Sequence, residues 1–176
     1  MGSTYSIKYV RAASAPAPEV LRGEVEAILA EVDRQMSTYR ADSDLERFNR
    51  AQAGCHAMPG PVLELVDYGA RLSRQSDGAF DLTLEPLMTL WGFGSKSRGQ
   101  QVPDEAALAA VREQYGYQRV QVRGDQLCKD LDAVQVDLNS IAAGYTVDRI
   151  GALLQAKGVD SYLVEVTGEL RSEQRR

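Results

Sequence analysis

The sequence predicts an α+β fold, a largely antiparallel sheet covered by helices, and three observations carry that expectation. Helical apolar stripes and period-two strand patterns are mixed along the 176 residues. The runs "YQRVQVR" and "QLCKDLD" are separated by Gly124 and Asp125 alone, a connection that antiparallel neighbours allow and parallel ones do not. The spacing of the remaining strand-like runs fits parallel winding less well.

Taken in order, "TYSIKYVR", Thr4 to Arg11, sets Tyr5, Ile7 and Tyr9 against polar neighbours and reads as a half-buried strand. After the linker "AASAPAP", Leu21, Val25, Ile28, Leu29, Val32 and Met36 form one stripe of a helix opening near Pro18 and Glu19. "SDLE", Ser43 to Glu46, has the spacing of a capping box and predicts a short second helix through Phe48. Gly and Pro make "AQAGCHAMPGP" a loop, followed by a helix carrying Val62, Leu65, Val66 and Leu72 and ended by Gly78. "VPDEAALAAVREQYG" reads as a helix capped by Asp104 and stopped by Gly116. In the hairpin that follows, Arg123-Gly124-Asp125 is a turn rather than an adhesion tripeptide. A third strand, "AVQVDL", runs into a helix with Ile141, Tyr145, Val147, Leu153 and Leu154 inside and Gly158 at its end. "SYLVEV" is expected as the last strand, with the charged "GELRSEQRR" after it.

Composition sets the bounds. With 44% hydrophobic and 26% charged residues the chain resembles one globular domain, and the net charge of -5 argues against a nucleic-acid partner. No apolar run approaches the ~20 residues of a membrane span, and the N-terminus lacks the features of a signal peptide. Cys55 and Cys128 stand in no C-x-x-C arrangement; they permit one disulfide, and two free thiols are the expectation.

Two places are candidates for chemistry. At "VDLNSIAAGYTVD", Asn139 and Ser140 are helix-capping types and Ala142, Ala143 and Gly144 leave the first turn open, so a phosphate fits near its N–H groups. Asp137 beside that turn repels a bare phosphate; either a divalent cation is shared there, or Asp137 simply ends a strand and stabilises the helix. The second place is "GAFDLTLEPLMTLWGFG", Gly78 to Gly94. Its Phe80, Leu82, Leu84 and Leu87 read as buried packing with Trp91 as an anchor, or its aromatics wall a flat ring. Asp81, between Phe80 and Leu82, must be hydrogen-bonded, exposed or facing a ligand, since an unpaired buried carboxylate is costly. His56, the one histidine, reads as a structural or solvated side chain.

Five segments, "MGSTYSI", "VDRQMSTYRADSDLERFN", "SDGAFDLTLEPLMTLWGFG", "VDLNSIAAGYTVDRI" and "YLVEVTGELR", occur in this order, and together they resemble the FAD:protein FMN transferases, also called ApbE or thiamine-biosynthesis lipoproteins. Ala41 stands where that family usually has Pro, and Glu85 where it often has Gly. The resemblance implies a Mg²⁺-dependent enzyme that cleaves FAD at its pyrophosphate, joins FMN through a phosphoester to a Thr of an acceptor flavoprotein, and releases AMP. An FAD pyrophosphatase and a non-catalytic FAD-binding fragment are the alternatives. By position, Met1, Tyr39, Ala79, Phe80, Asp81 and Asp137 match FAD contacts, and Ser140 matches a metal-binding position through its backbone carbonyl. Ala143 occupies a further FAD-contacting position where Lys or Glu is usual, leaving only a backbone contact. Ala79, Phe80 and Asp81 then read as a nucleotide contact with the Asp81 carboxylate free to accept from the ligand. Leu82 to Leu90 stay packing, and Trp91 to Gly94 are open between wall and anchor.

The family continues into a second half with a Ser-His-x-x-[DN]-P segment and an Asp-x-x-x-Thr metal site, neither of which occurs in the 176 residues. The resemblance therefore implies that residues 1–176 are the N-terminal portion of a flavin transferase domain, with an incomplete Mg²⁺ shell and no identifiable general base. It also implies an acceptor such as a subunit of a redox-driven ion pump. The implied location is the periplasmic side of a bacterial inner membrane, reached through a lipid anchor upstream of this start.

Overall fold

A computed structural model describes residues 4–11, 15–93 and 102–174. The chain divides into two compact units, Met1–Asp33 with Asn139–Arg176, and Arg34–Leu138, and each is taken by itself. The sheets within them are antiparallel, which makes the fold α+β as the hairpin and mixed periodicities predict.

In the first unit, β1 (Tyr5–Tyr9) pairs with β5 (Ser161–Val166), and β5 pairs with β6 (Glu169–Gln174). Alternation decides which face is covered: Tyr162, Val164 and Val166 are buried, while Leu163 between them is 38% exposed. The first part of α1 (Pro18–Met36) brings Leu21 and Val25 to that face, and α6 (Asn139–Ala156) brings Val147, Ile150 and Leu154. Each such fully buried aliphatic side chain contributes about 1.5–3 kcal/mol. Ion pairs Lys157–Glu24 and Arg149–Glu31 fasten the two helices at 2.6 and 2.9 Å.

The strand β6 corrects the expectation that "SYLVEV" is the last. "ELRSEQ" shows no apolar alternation because five of its six residues are exposed and the sixth, Arg171, meets α6 with a charged side chain paired to Asp148, so period two is invisible in the sequence. Its strand conformation comes from pairing with β5 across a two-residue turn in which Thr167 and Gly168 have φ of 53° and 96°, the left-handed pair that such hairpins require.

In the second unit, β4 (Gln126–Lys129) lies between β2 (Gly54–Ala57) and β3 (Val120–Arg123). Gly124, with φ of 61°, makes the β3–β4 turn, so Arg123-Gly124-Asp125 is a hairpin tip as expected. The helix α2 (Asp44–Arg50) is capped by Ser43, whose Oγ accepts from the Glu46 N–H at 3.0 Å. The reciprocal half of the capping box is not made: the Ser43 N–H donates to the Arg40 carbonyl, and Glu46 pairs with Arg50. The chain continues through α3 (Gly60–Gln75), α4 (Glu85–Leu90) and α5 (Glu105–Arg112), the last capped by the Asp104 carboxylate on the Ala107 N–H at 2.7 Å.

Three expectations fail in this unit. "AQAGCHAMPGP" is not all loop, because Gly54–Ala57 pair with β4 as an edge strand. That register sets Cys55 directly opposite Cys128, and the two form a disulfide rather than free thiols; the pairing is long-range and leaves no mark on local sequence. "AVQVDL" alternates correctly, with Val134, Val136 and Leu138 fully buried, but it is not a strand. Its backbone groups find side-chain and loop partners instead of a neighbouring strand, as described next.

Candidate functional site

Two irregular segments of the second unit carry the candidate residues. The first follows α3. Asp77 (φ 51°) and Gly78 (φ 82°) reverse the chain, and the Gly78 N–H closes the helix on the Ser73 carbonyl at 2.8 Å. The Ser76 hydroxyl then accepts from the Phe80 N–H at 3.0 Å. Asp81 Oδ1 accepts from both the N–H and the hydroxyl of Thr83, each at 2.7 Å, while its Oδ2 accepts from the Tyr117 N–H at 2.9 Å. Thr83 Oγ1 in turn accepts from the Gly116 N–H at 2.7 Å.

This arrangement corrects the expectation of a carboxylate free for a ligand. An ionised carboxylate offers about four lone-pair positions, and protein donors occupy three. Asp81 therefore fixes the shape of its own turn and ties it to the turn before β3; one acceptor position on Oδ2 remains. Behind it, Leu82 is buried against Gly69 of α3, where an added Cβ would lie 2.8 Å from Leu82 Cγ. Glycine at 69 is what lets the turn sit this close.

The second segment is 130–138. Lys129, only 3% exposed, donates from Nζ to three backbone carbonyls: Asn49 at 3.0 Å, Asp132 at 3.1 Å and Val134 at 3.1 Å. Its ammonium also lies 5.2 Å from the centre of the Phe48 ring, a favourable cation–π position. Burial lowers its pKa below the usual lysine value, and nearby Asp132 partly opposes that. Asn49 brackets Val136, donating from Nδ2 to its carbonyl at 2.9 Å and accepting from its N–H at 2.8 Å. One residue on, the Asp137 N–H donates to the Leu82 carbonyl at 2.8 Å. The backbone of an apparent strand is thus satisfied by one lysine, one asparagine and the turn beside Asp81.

The hydrogen bond to Leu82 places Asp137 and Asp81 on touching segments of one unit. The cavity between those segments, lined by Leu82, Thr83, Tyr117 and Val136 among others, has a volume of about 10 Å³. A space this small belongs to the packing of the unit. Tyr39 is 74% exposed, with its N–H on the Ser37 hydroxyl at 3.2 Å. Ala79 is exposed, and Phe80 and Asp137 are half-buried. Ser140 is exposed and Ala143 half-buried, both in the first turns of α6 in the other unit. Met1 and Gly94 lie outside the described residues. Trp91 and Phe93, 37% and 61% exposed, are not core anchors. His56 is structural as expected, its Nε2 lying 2.9 Å from the Gln52 carbonyl and its ring edge-on to Phe48.

Among the described residues no group of three His, Cys, Asp or Glu gathers as a metal-donor set. The Ser140 carbonyl belongs to the α6 hydrogen-bond ladder, and alone it does not fit a cation that takes about six near-ideal oxygen ligands. Sequence reading missed Lys129 and Asn49. The available signal was a lysine ending an apolar strand and an asparagine closing a short helix, each ambiguous without the fold.

Comparison with known proteins places the chain in a family. The profile of the ApbE family matches residues 1–175. A protein named FAD:protein FMN transferase from Vibrio cholerae is 40% identical over 172 residues, covering 97% of this chain and 52% of that protein. Another of that name from Haemophilus influenzae is 35% identical over 180 residues, covering 98% and 52%. The crystal structure of the Pseudomonas stutzeri flavinyl transferase ApbE in its apo form shares 58% identity and a TM-score of 0.95 over 100% of this chain and 59% of that one. The chain spans about half the length of the curated relatives it matches. It belongs to the ApbE family.

Proposed function

We propose that the chain carries flavin-nucleotide contacts of an FAD:protein FMN transferase. The observation behind this reading is the Asp137–Leu82 hydrogen bond, which brings the "GAFD" and "VDLN" segments together within one unit. In the second unit, FAD contacts are assigned to Tyr39, Ala79, Phe80, Asp81 and Asp137; in the first, the family resemblance assigns Met1 and the backbone at Ala143. Asp81 acts chiefly by holding its turn, with one lone pair left for the ligand.

In the reaction, a Thr hydroxyl of the acceptor flavoprotein attacks the FMN phosphorus, the pyrophosphate P–O bond breaks, and AMP leaves while the hydroxyl proton is lost. Such transfer depends on positioning and on neutralising phosphate charge. The first turn of α6, free of bulk at Ala142, Ala143 and Gly144, supplies N–H groups suited to a phosphate. Mg²⁺ dependence is proposed for the whole protein, since the described residues gather no metal-donor set of their own. The acceptor is proposed to be a flavoprotein such as a redox-pump subunit, and the location the bacterial periplasm with a lipid anchor. The Cys55–Cys128 disulfide supports an oxidising compartment.

The test incubates full-length protein with FAD, Mg²⁺ and an acceptor domain bearing the target Thr, and reads the acceptor by intact mass. One added FMN with equimolar AMP is expected, reduced by Asp137→Ala. Free FMN and AMP without an adduct identify a pyrophosphatase. A second reading, a non-catalytic FAD-binding chain, is favoured by Ala143, which stands where the family usually has Lys or Glu. It predicts FAD binding with no AMP release.

A further inference from the structure

The segment leading to Asp137 has alternating buried valines but no strand partner, and its order comes from two side chains, Lys129 at the end of the strand just before it and Asn49 from α2, distant in sequence. Lys129 Nζ gathers the carbonyls of Asn49, Asp132 and Val134, and the Asn49 amide takes both backbone groups of Val136. Lys129 thus joins the C-terminal turn of α2 to the 130–138 segment, and Asn49 fixes the residue next to Asp137. The Ala53 N–H on the Asp132 carboxylate, at 2.6 Å, and the disulfide at Cys128 anchor the same region from β2.

From this geometry we infer that Lys129 and Asn49 are positioning residues for flavin binding, acting through Asp137 rather than touching the ligand. The inference rests on the reading of Asp137 as a flavin contact. Its physical basis is preorganisation. A carboxylate on an irregular segment loses affinity if it must be ordered at each binding event, and a lysine satisfied by carbonyls orders it beforehand. Lysine suits the position because its three N–H donors match three converging carbonyls. Methionine fills similar space and satisfies none of them.

The experiment is a double-mutant cycle read by quenching of FAD fluorescence on the full-length protein. It uses Lys129→Met, Asn49→Asp and Asp137→Ala, alone and combined. Asn49→Asp keeps an acceptor for the Val136 N–H, but it replaces the donor to the Val136 carbonyl by a buried carboxylate oxygen that repels it. Losing a buried charged hydrogen bond of this kind corresponds to about tenfold in affinity. Lys129→Met and Asn49→Asp are each expected to weaken FAD binding about tenfold in the wild-type background. In the Asp137→Ala background the further loss is expected to stay within about twofold, because the two effects share one route. Amide exchange at residues 134–137 should rise in both variants while α3 stays protected.

Equal losses in both backgrounds, or general loss of protection, overturn the inference, since they show the pair supporting the unit as a whole. Failure of both variants to fold does the same. If Asp137→Ala leaves FAD affinity unchanged, the flavin reading of Asp137 falls, and that outcome is distinguishable from equal losses in both backgrounds.

Discussion

The Asp81 carboxylate accepts the Tyr117 N–H at 2.9 Å, joining two turns that lie far apart in the sequence. Through Thr83 the same carboxylate organises the neighbouring Gly116 N–H. A motif whose sequence suggests ligand contact therefore spends most of its acid on the protein.

Asp81→Ala should cost about 3 kcal/mol, because hydrogen bonds to an ionised acceptor are each worth about 1.5–3 kcal/mol and their losses are not additive. Urea unfolding of wild type and variant measures this. A loss below about 0.5 kcal/mol would mean water replaces the carboxylate without penalty.

Gly69→Ala should destabilise by about 1–2 kcal/mol, since the overpacking against Leu82 exceeds the gain in helix propensity. Thermal unfolding would report a lower Tm. Pairing it with Leu82→Ala should restore space, so the combined variant should lose less than the sum of the two.

Cys55→Ser combined with Cys128→Ser should lower stability by about 4 kcal/mol, the loop-closure value for the sequence separation of 73 residues. Reduction with a dithiol should act in the same direction. Thiol titration of the untreated, denatured chain should find no free thiol.

The pH dependence of stability should carry a signature of Lys129. Its folded pKa lies below the unfolded value because burial disfavours the charge. Between those two values the unfolded chain binds more protons, so the folded state gains as pH rises toward the ordinary lysine value of 10.5. Wild type should therefore gain stability relative to Lys129→Met over the alkaline range, by paired urea unfolding at stepped pH. A difference that stays flat with pH would contradict the burial of a charged ammonium.

Local signals made much of the fold legible. The stripes of α1 and α3, the caps at Ser43 and Asp104, and the Gly124 turn each depend on residues close in sequence. What escaped was set by distant partners. β2 and β6 are edge strands whose pairing, not their pattern, makes them strands. The alternation in "AVQVDL" correctly reported burial of Val134 and Val136, but alternation does not say whether a strand or a pair of side chains satisfies the backbone. At the candidate site, the motif residues were visible in the sequence, while the occupation of the Asp81 carboxylate required the position of Tyr117.

The most direct test of the central claim is an FAD fluorescence titration of this chain beside its Asp137→Ala variant. Saturable quenching is expected, weakened about tenfold or more by the substitution, because a half-buried polar contact is lost. No quenching, or identical isotherms for the two proteins, would contradict it.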